Sequence, residues 1–267
     1  MSSILEALAQ PGPPILADGA MGTMLQEAGL SVGTAAYTWT ASHPDDVLAV
    51  HAAYIAVGSH LVLTNTLNAH PPLVSTEEAV ALNRAAVALA RQSGARWVAG
   101  SLGPGAEAAQ ARALAAAGVD LFWIETQLSL EEALRAVVAC QQVGSAPIVV
   151  TFSFHRDDGR THAGETAAKV ASTLEQYGVA AIGLNCGNAL AGARQRLREM
   201  AEACSLPLVI KPNAGLPRRA GDHWVYDLSP DEWANQIVDA LVPQVRLVGG
   251  CCGTTPAHIL ALRDRIR

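Results

Sequence analysis

The residues able to do chemistry in this chain are few, and their spacing forms a pattern. Near the C-terminus the stretch RLVGGCCGTTPAHI, residues 246–259, sets Cys251 and Cys252 side by side among Gly249, Gly250 and Gly253. A third cysteine, Cys186, closes the run AAIGLNC, while Asp18 lies in PILADGA, Asn65 in HLVLTNT and Glu125 in LFWIETQ. Five cysteines in all, an odd number and widely spaced, make a poor disulfide framework and leave metal binding or catalysis. Three converging thiolates suit zinc, which prefers sulfur, is tetrahedral, and with three protein ligands keeps a fourth position open to a substrate. Side chains alternate along a strand, so Cys251 and Cys252 reach one point only if the backbone leaves the extended conformation, which the neighbouring glycines permit. The competing reading makes the cysteines packing residues under a phosphate loop, but a phosphate cradle needs backbone N–H groups rather than thiols.

These residues must be brought together by the elements that carry them. Eight short apolar runs recur along the chain: residues 14–20, 60–66, 96–103, 121–127, 147–154, 180–186, 207–214 and 246–252. Each is bounded by turn residues, as strands buried on both faces of a parallel sheet are. Between them lie Ala/Leu-rich segments such as TEEAVALNRAAVALARQSG and SLEEALRAVVACQQVG, which open on Ser or Thr with Glu in the first turn and stop at Gly. Eight strand–helix units in 267 residues predict a single (β/α)8 TIM barrel spanning residues 1–267. Asp18, Asn65, Glu125, Asn185, Cys186, Asn213, Cys251 and Cys252 all fall at the C-terminal ends of their strands, the face on which barrels of this kind carry their chemistry. Closure of the barrel then brings Cys186 and the cysteine pair to one rim, with a single strand between them.

Composition narrows the partners. A net charge of −6 and the absence of a basic patch beyond RRAGDH argue against a nucleic-acid partner. No apolar run reaches the roughly 20 residues of a membrane span and no targeting segment opens the chain, which predicts a cytoplasmic protein. Cys140 and Cys204, inside helical segments, read as small hydrophobes. His155 and His162 read as solvated loop residues, and His60 begins its strand at the wrong end for catalysis.

The motifs LADGAMGTMLQEAG, VLTNTLNA, WIET, GLNCG, KPNAGLP and GGCCGTTPAHI together resemble the zinc-dependent homocysteine S-methyltransferase family. GRTHAGET with PNAGLP is particularly similar to the homocysteine module of cobalamin-dependent methionine synthase. The resemblance runs from about Ile15 to the C-terminus. It implies a barrel in which Cys186, Cys251 and Cys252 bind Zn2+ and the homocysteine sulfur coordinates as the fourth ligand. A thiol so bound is deprotonated, and a ligand set with a formal charge of about −2 leaves its sulfur nucleophilic toward a methyl group on a good leaving group. Asp18 and Glu125 are placed to receive the α-ammonium of homocysteine, and the backbone from Gly19 to Gly22 to receive its carboxylate. Asn65 and Asn185 divide between substrate contact and loop fixing, and Asn213 shapes the turn after strand 7.

The methyl donor stays open at this level. A small sulfonium, S-methylmethionine or S-adenosylmethionine, lets the chain act alone; a methylcorrinoid on a separate protein is the alternative, because a barrel of this size leaves no room for further modules. A second thiol acceptor and a non-catalytic zinc barrel are rival readings. Two departures from the family pattern bear on the site: Leu67 stands where relatives carry an aromatic residue after TNT, and VGSH replaces AGAD before strand 2. The connection between strands 3 and 4 is also short, which predicts a rim open to solvent beside Gly105.

Overall fold

The computed structural model describes residues 3–106, 108–156, 158–187, 190–221 and 223–266. Ten strands are present among them: β1 (Ile15–Leu16), β2 (Leu61–Leu63), β3 (Trp97–Leu102), β4 (Leu121–Gln127), β5 (Ile148–Phe152), β6 (Ala181–Asn185), β7 (Leu208–Lys211), β8 (Pro217–Ala220), β9 (His223–Tyr226) and β10 (Val245–Val248). Eight form one parallel sheet in the order β1-β10-β7-β6-β5-β4-β3-β2, and a parallel bridge between Ala17 and Leu61 joins its two ends. The sheet is therefore a closed (β/α)8 barrel, as the eightfold repeat predicts.

Alternation along the strands sorts side chains into two layers. Ile15, Leu63, Trp97, Leu121, Trp123, Val149, Val209 and Leu247 fill the barrel interior. Leu16, Val62, Val98, Phe122, Val150, Ile182, Leu208 and Val248 face outward and join the core under the helices. Both faces are buried, which is why the strands read as unbroken apolar runs. The helix α1 (Ile4–Ala9), opened by a Ser3–Glu6 capping box, contributes Ile4 and Leu8 to the interior cluster and so covers one end of the barrel.

Helix starts follow the sequence signals closely. The helix Thr76–Gln92 is capped by Ser75, and the helix Leu130–Gln141 by Ser129, each serine accepting the amide of the Glu three residues on. Two features differ from the sequence reading. The last barrel strand ends at Val248 rather than 252, although the amides beyond it still reach the two flanking segments: Gly249 donates to Ile210 O, Gly250 to Asp18 O and Cys251 to Pro212 O. The connection after β7 is also not a simple loop, since β8 and β9 pair there as an antiparallel hairpin.

Candidate active site

The three cysteines leave regular strand geometry where they meet. Cys186 directly follows β6 and takes a left-handed backbone at φ 54, and Cys251 and Cys252 lie past the end of β10. Gly253 turns the chain at φ 77. Gly250 serves differently, through close packing, since a Cβ there would lie 2.2 Å from Thr254 Oγ1. The result places the Cys186, Cys251 and Cys252 sulfurs all within 4.8 Å of one another.

This donor set fits a soft, tetrahedral cation. Zinc–thiolate bonds of about 2.3 Å in tetrahedral geometry put sulfurs about 3.8 Å apart, compatible with that spacing. Without a cation the trio cannot all ionise. Hydrogen bonds from Cys251 and then Cys252 hold the Cys186 thiol down to about 3, while the Cys252 thiol is pushed up to about 12, chiefly through its bond to Cys186, and the Cys251 thiol is raised as well. Thiolates this close disfavour one another, and a divalent cation held among the sulfurs would relieve that competition.

Above the sulfurs opens a cavity of about 330 Å³ whose wall includes Asp18, Gly19, Asn65, Glu125, Cys251 and Cys252. Asn185 and Cys186 stand behind that wall, with Asn185 Nδ2 3.9 Å from Cys251 Sγ. Glu125, at the end of β4, accepts the Ser101 hydroxyl at 2.5 Å and a long contact from Asn185 Nδ2 at 3.5 Å. Burial raises its pKa to about 7 against the lowering effects of Ser101 and the Lys211 charge. Asp18 is buried and accepts the Leu63 amide at 2.8 Å and the Lys211 ammonium at 2.5 Å.

Asn65 spends its amide on structure, donating to Ala36 O at 2.8 Å and Thr40 Oγ1 at 3.2 Å, and so fixes the loop that forms one side of the cavity. Gly19 packs tightly, since a Cβ there would meet Thr254 Oγ1 and Tyr54 Oη at 2.7 Å. Of the backbone between Gly19 and Gly22, the Ala20 amide is already taken by Thr254 Oγ1 at 3.1 Å. Asn213 donates to Gly187 O at 3.2 Å and accepts the Trp233 indole on its carbonyl at 3.1 Å, consistent with a turn-shaping role. Cys140 is buried in the helical core and burial pushes its thiol up to about 12; Cys204 is buried at the end of the helix Ala193–Ala203; His155 and His162 are exposed.

Sequence reading missed four residues of this site. Lys211 ends an otherwise apolar strand, PLVIK, and that lone charge was the available signal. Ser101, inside the wholly buried β3, gave none. Tyr226 and Trp224 belong to the unforeseen hairpin; both line the cavity, and the Tyr226 ring packs against Gly253 beside Cys252. The short connection after β3 is met by the loop following β2, because Gly103 approaches Leu67 so closely that a Cβ would lie 2.7 Å from Leu67 Cδ1.

A parallel barrel with three convergent thiols beside a cavity that also holds two carboxylates defines a class: barrels that carry a donor set suited to a soft metal next to a polar small-molecule pocket. Comparison with known proteins specifies it. Residues 15–266 match the family described as homocysteine S-methyltransferase, and the chain belongs to that family. Methionine synthase of Mycobacterium leprae is 30% identical over 97% of this chain and 24% of its own length, so the chain spans about a quarter of that relative. The homocysteine methyltransferase MmuM of Escherichia coli in its metallated form superposes with a TM-score of 0.82 at 26% identity, covering 98% of this chain and 99% of that one. The apo form of the same protein gives 0.77 at 28% identity, with 98% and 99% covered. No helix among the described residues is long and apolar enough to cross a membrane.

Proposed function

We propose that the barrel acts as one homocysteine-binding unit that transfers a methyl group to the homocysteine thiolate, with zinc held by Cys186, Cys251 and Cys252. The carrying observation is a cluster of three sulfurs within 4.8 Å of one another, two of them on residues that line a cavity also presenting Asp18 and Glu125. Bound there, zinc supplies a coordination position at which a thiol loses its proton yet stays nucleophilic. The chain's own residues do the rest. The carboxylates in the lining supply the negative charge for the α-ammonium, and the backbone at Gly19, Met21 and Gly22, in the same lining, is offered to the substrate carboxylate. Asn185, bonded to the turn after Glu125 and next to Cys186, keeps the carboxylate and the sulfurs in fixed relation.

The donor we favour is a small sulfonium. The cavity of about 330 Å³ has room for homocysteine and one further small molecule, and Trp224 presents an aromatic wall at its mouth. A second reading, in which another protein module delivers the methyl group, draws on the alignment of the chain with only 24% of a methionine synthase. Zinc-loaded protein incubated with homocysteine and each of S-methylmethionine, S-adenosylmethionine and methylcobalamin tests the proposal by methionine formation. Methionine appearing with one donor and vanishing on chelation is the expected result. No methionine with any donor, or activity indifferent to the metal, would overturn it.

A further inference from the structure

Asp18 and Glu125 are the carboxylates that line the cavity among the described residues, and their surroundings are unequal. Asp18 Oδ2 accepts the Leu63 amide at 2.8 Å, and Oδ1 accepts the Lys211 ammonium at 2.5 Å. Lys211 also donates to the Asp18 carbonyl at 3.0 Å and stands 5.6 Å from the centre of the Trp123 ring. Its side chain is 3% exposed, so this ion pair is shielded from water. Among the described residues Glu125 has only neutral partners within hydrogen-bond reach, the Ser101 hydroxyl and the Asn185 amide.

We propose that Lys211 is a positioning residue that withdraws Asp18 from substrate recognition and leaves Glu125 to hold the amino group. The inference rests on the reading of the ligand as an amino-acid thiol. Both Asp18 oxygens are already engaged, and a second ammonium brought there also meets the Lys211 charge, which offsets part of the carboxylate's attraction in a poorly solvated site. At Glu125 no cation among the described residues is within hydrogen-bond reach and Lys211 acts only at longer range, so an approaching ammonium gains more there than at Asp18. Lys211 thereby fixes on which side of the cavity the amino group sits, and through that the orientation of the sulfur. It also keeps the Asp18 main chain, whose carbonyl accepts the Gly250 amide at 2.9 Å, tied to the start of the cysteine loop.

The test measures how strongly zinc-loaded protein prefers homocysteine to 4-mercaptobutanoate, the same thiol acid without the amino group. In the wild type the preference should be about 10–100-fold, the worth of a charge-assisted hydrogen bond. It should collapse in Glu125→Gln and return in Glu125→Gln/Lys211→Met, where Asp18 is released to take the ammonium. Because Lys211→Met leaves Asp18 buried without its cation, Asp18→Asn/Lys211→Met is measured in parallel; removing both charges keeps the fold and should leave the wild-type preference intact. Retention of the preference in Glu125→Gln, failure of a folded Glu125→Gln/Lys211→Met to regain it, or its loss in Asp18→Asn/Lys211→Met would each overturn the role of Lys211. Binding of neither thiol to the wild type would instead overturn the functional reading, and this inference with it.

Discussion

The ends of β4 and β6 are joined by Asn185 and Thr126, the Thr126 amide donating to Asn185 Oδ1 at 2.9 Å and Asn185 Nδ2 to Thr126 Oγ1 at 2.8 Å. Thr126 sits at φ 59, a left-handed conformation that costs a β-branched residue about 1–3 kcal/mol and persists only when its surroundings impose it. Cys186, the next residue after Asn185, is also left-handed at φ 54. One amide side chain therefore holds the backbone at both Glu125 and the first cysteine. Asn185→Leu leaves the Thr126 groups unpaired and is expected to lower unfolding stability by about 2–3 kcal/mol. It should also weaken zinc binding by about 10–100-fold, as loss of a residue that orients ligands does. Denaturant titration and chelator competition measure the two effects, and unchanged zinc affinity would confine Asn185 to a structural part.

Zinc content separates the five cysteines. Single Ser substitutions at Cys186, Cys251 and Cys252 should each sharply reduce bound metal, because an alcohol replaces a thiolate in a set of three. Cys140→Ser should keep its zinc and lose stability only, since Cys140 is buried in the helical core. Elemental analysis of purified proteins decides this, and full zinc in any of the first three removes that residue from the ligand set.

Glu125 carries a pH signature with a definite sign. Its folded pKa of about 7 lies above the ordinary value of 4.5, mainly through burial, so between these values the folded state holds a proton that the unfolded chain has released. Ionising Glu125 in the fold thus costs stability as pH rises through this window. Glu125→Gln removes the cost, and its stability relative to wild type should grow by about 1–3 kcal/mol from pH 4.5 to 7. The substrate acts oppositely, because an ammonium ligand favours the ionised carboxylate. Homocysteine affinity should rise over the same interval in the wild type and stay flatter in Glu125→Gln, readable by calorimetry at several pH values.

How far these features were legible in the sequence depends on whether the signal was local or arose from packing. The eight apolar runs and the serine caps announced the barrel because burial on both faces and N-terminal hydrogen bonding leave local marks on a chain. The cysteines and carboxylates were legible because barrels place polar strand ends on one rim. Lys211 was quoted within KPNAGLP yet left without a role, since its partner Asp18 is 193 positions away and no spacing rule links them. The hairpin β8–β9 was missed because its arms are short and its first strand, PRRA, is fully exposed and has no apolar alternation. The glycines on either side of the cysteines are expected from the sequence to free the backbone. Only Gly253 uses a left-handed turn, whereas Gly249 and Gly250 are small so that Asp18 and Thr254 can approach, a three-dimensional reason invisible in one dimension.

Trp224 connects that hairpin to the choice of donor. Trp224 is 44% exposed and lines the cavity mouth, together with Tyr226 and Leu67, the last 40% exposed. A sulfonium carries positive charge on its methyl groups, and an aromatic face attracts such a cation with an energy that changes affinity by about tenfold when the site is partly dry. If the donor is a small sulfonium, Trp224→Ala should raise the donor KM about tenfold while the homocysteine KM and zinc content stay near wild type. Trp224→Phe should recover part of the loss, because the ring face rather than the indole N–H is the attracting group. Placing a further aromatic residue in the lining with Leu67→Phe should lower the donor KM for the same reason. A donor delivered on another protein would respond differently: removing Trp224 would widen the mouth, and methyl transfer from free methylcobalamin would accelerate or stay constant. Steady-state rates with S-methylmethionine and with methylcobalamin, measured on the same three variants, distinguish the two, and an unchanged KM for S-methylmethionine in Trp224→Ala would remove the hairpin from donor recognition.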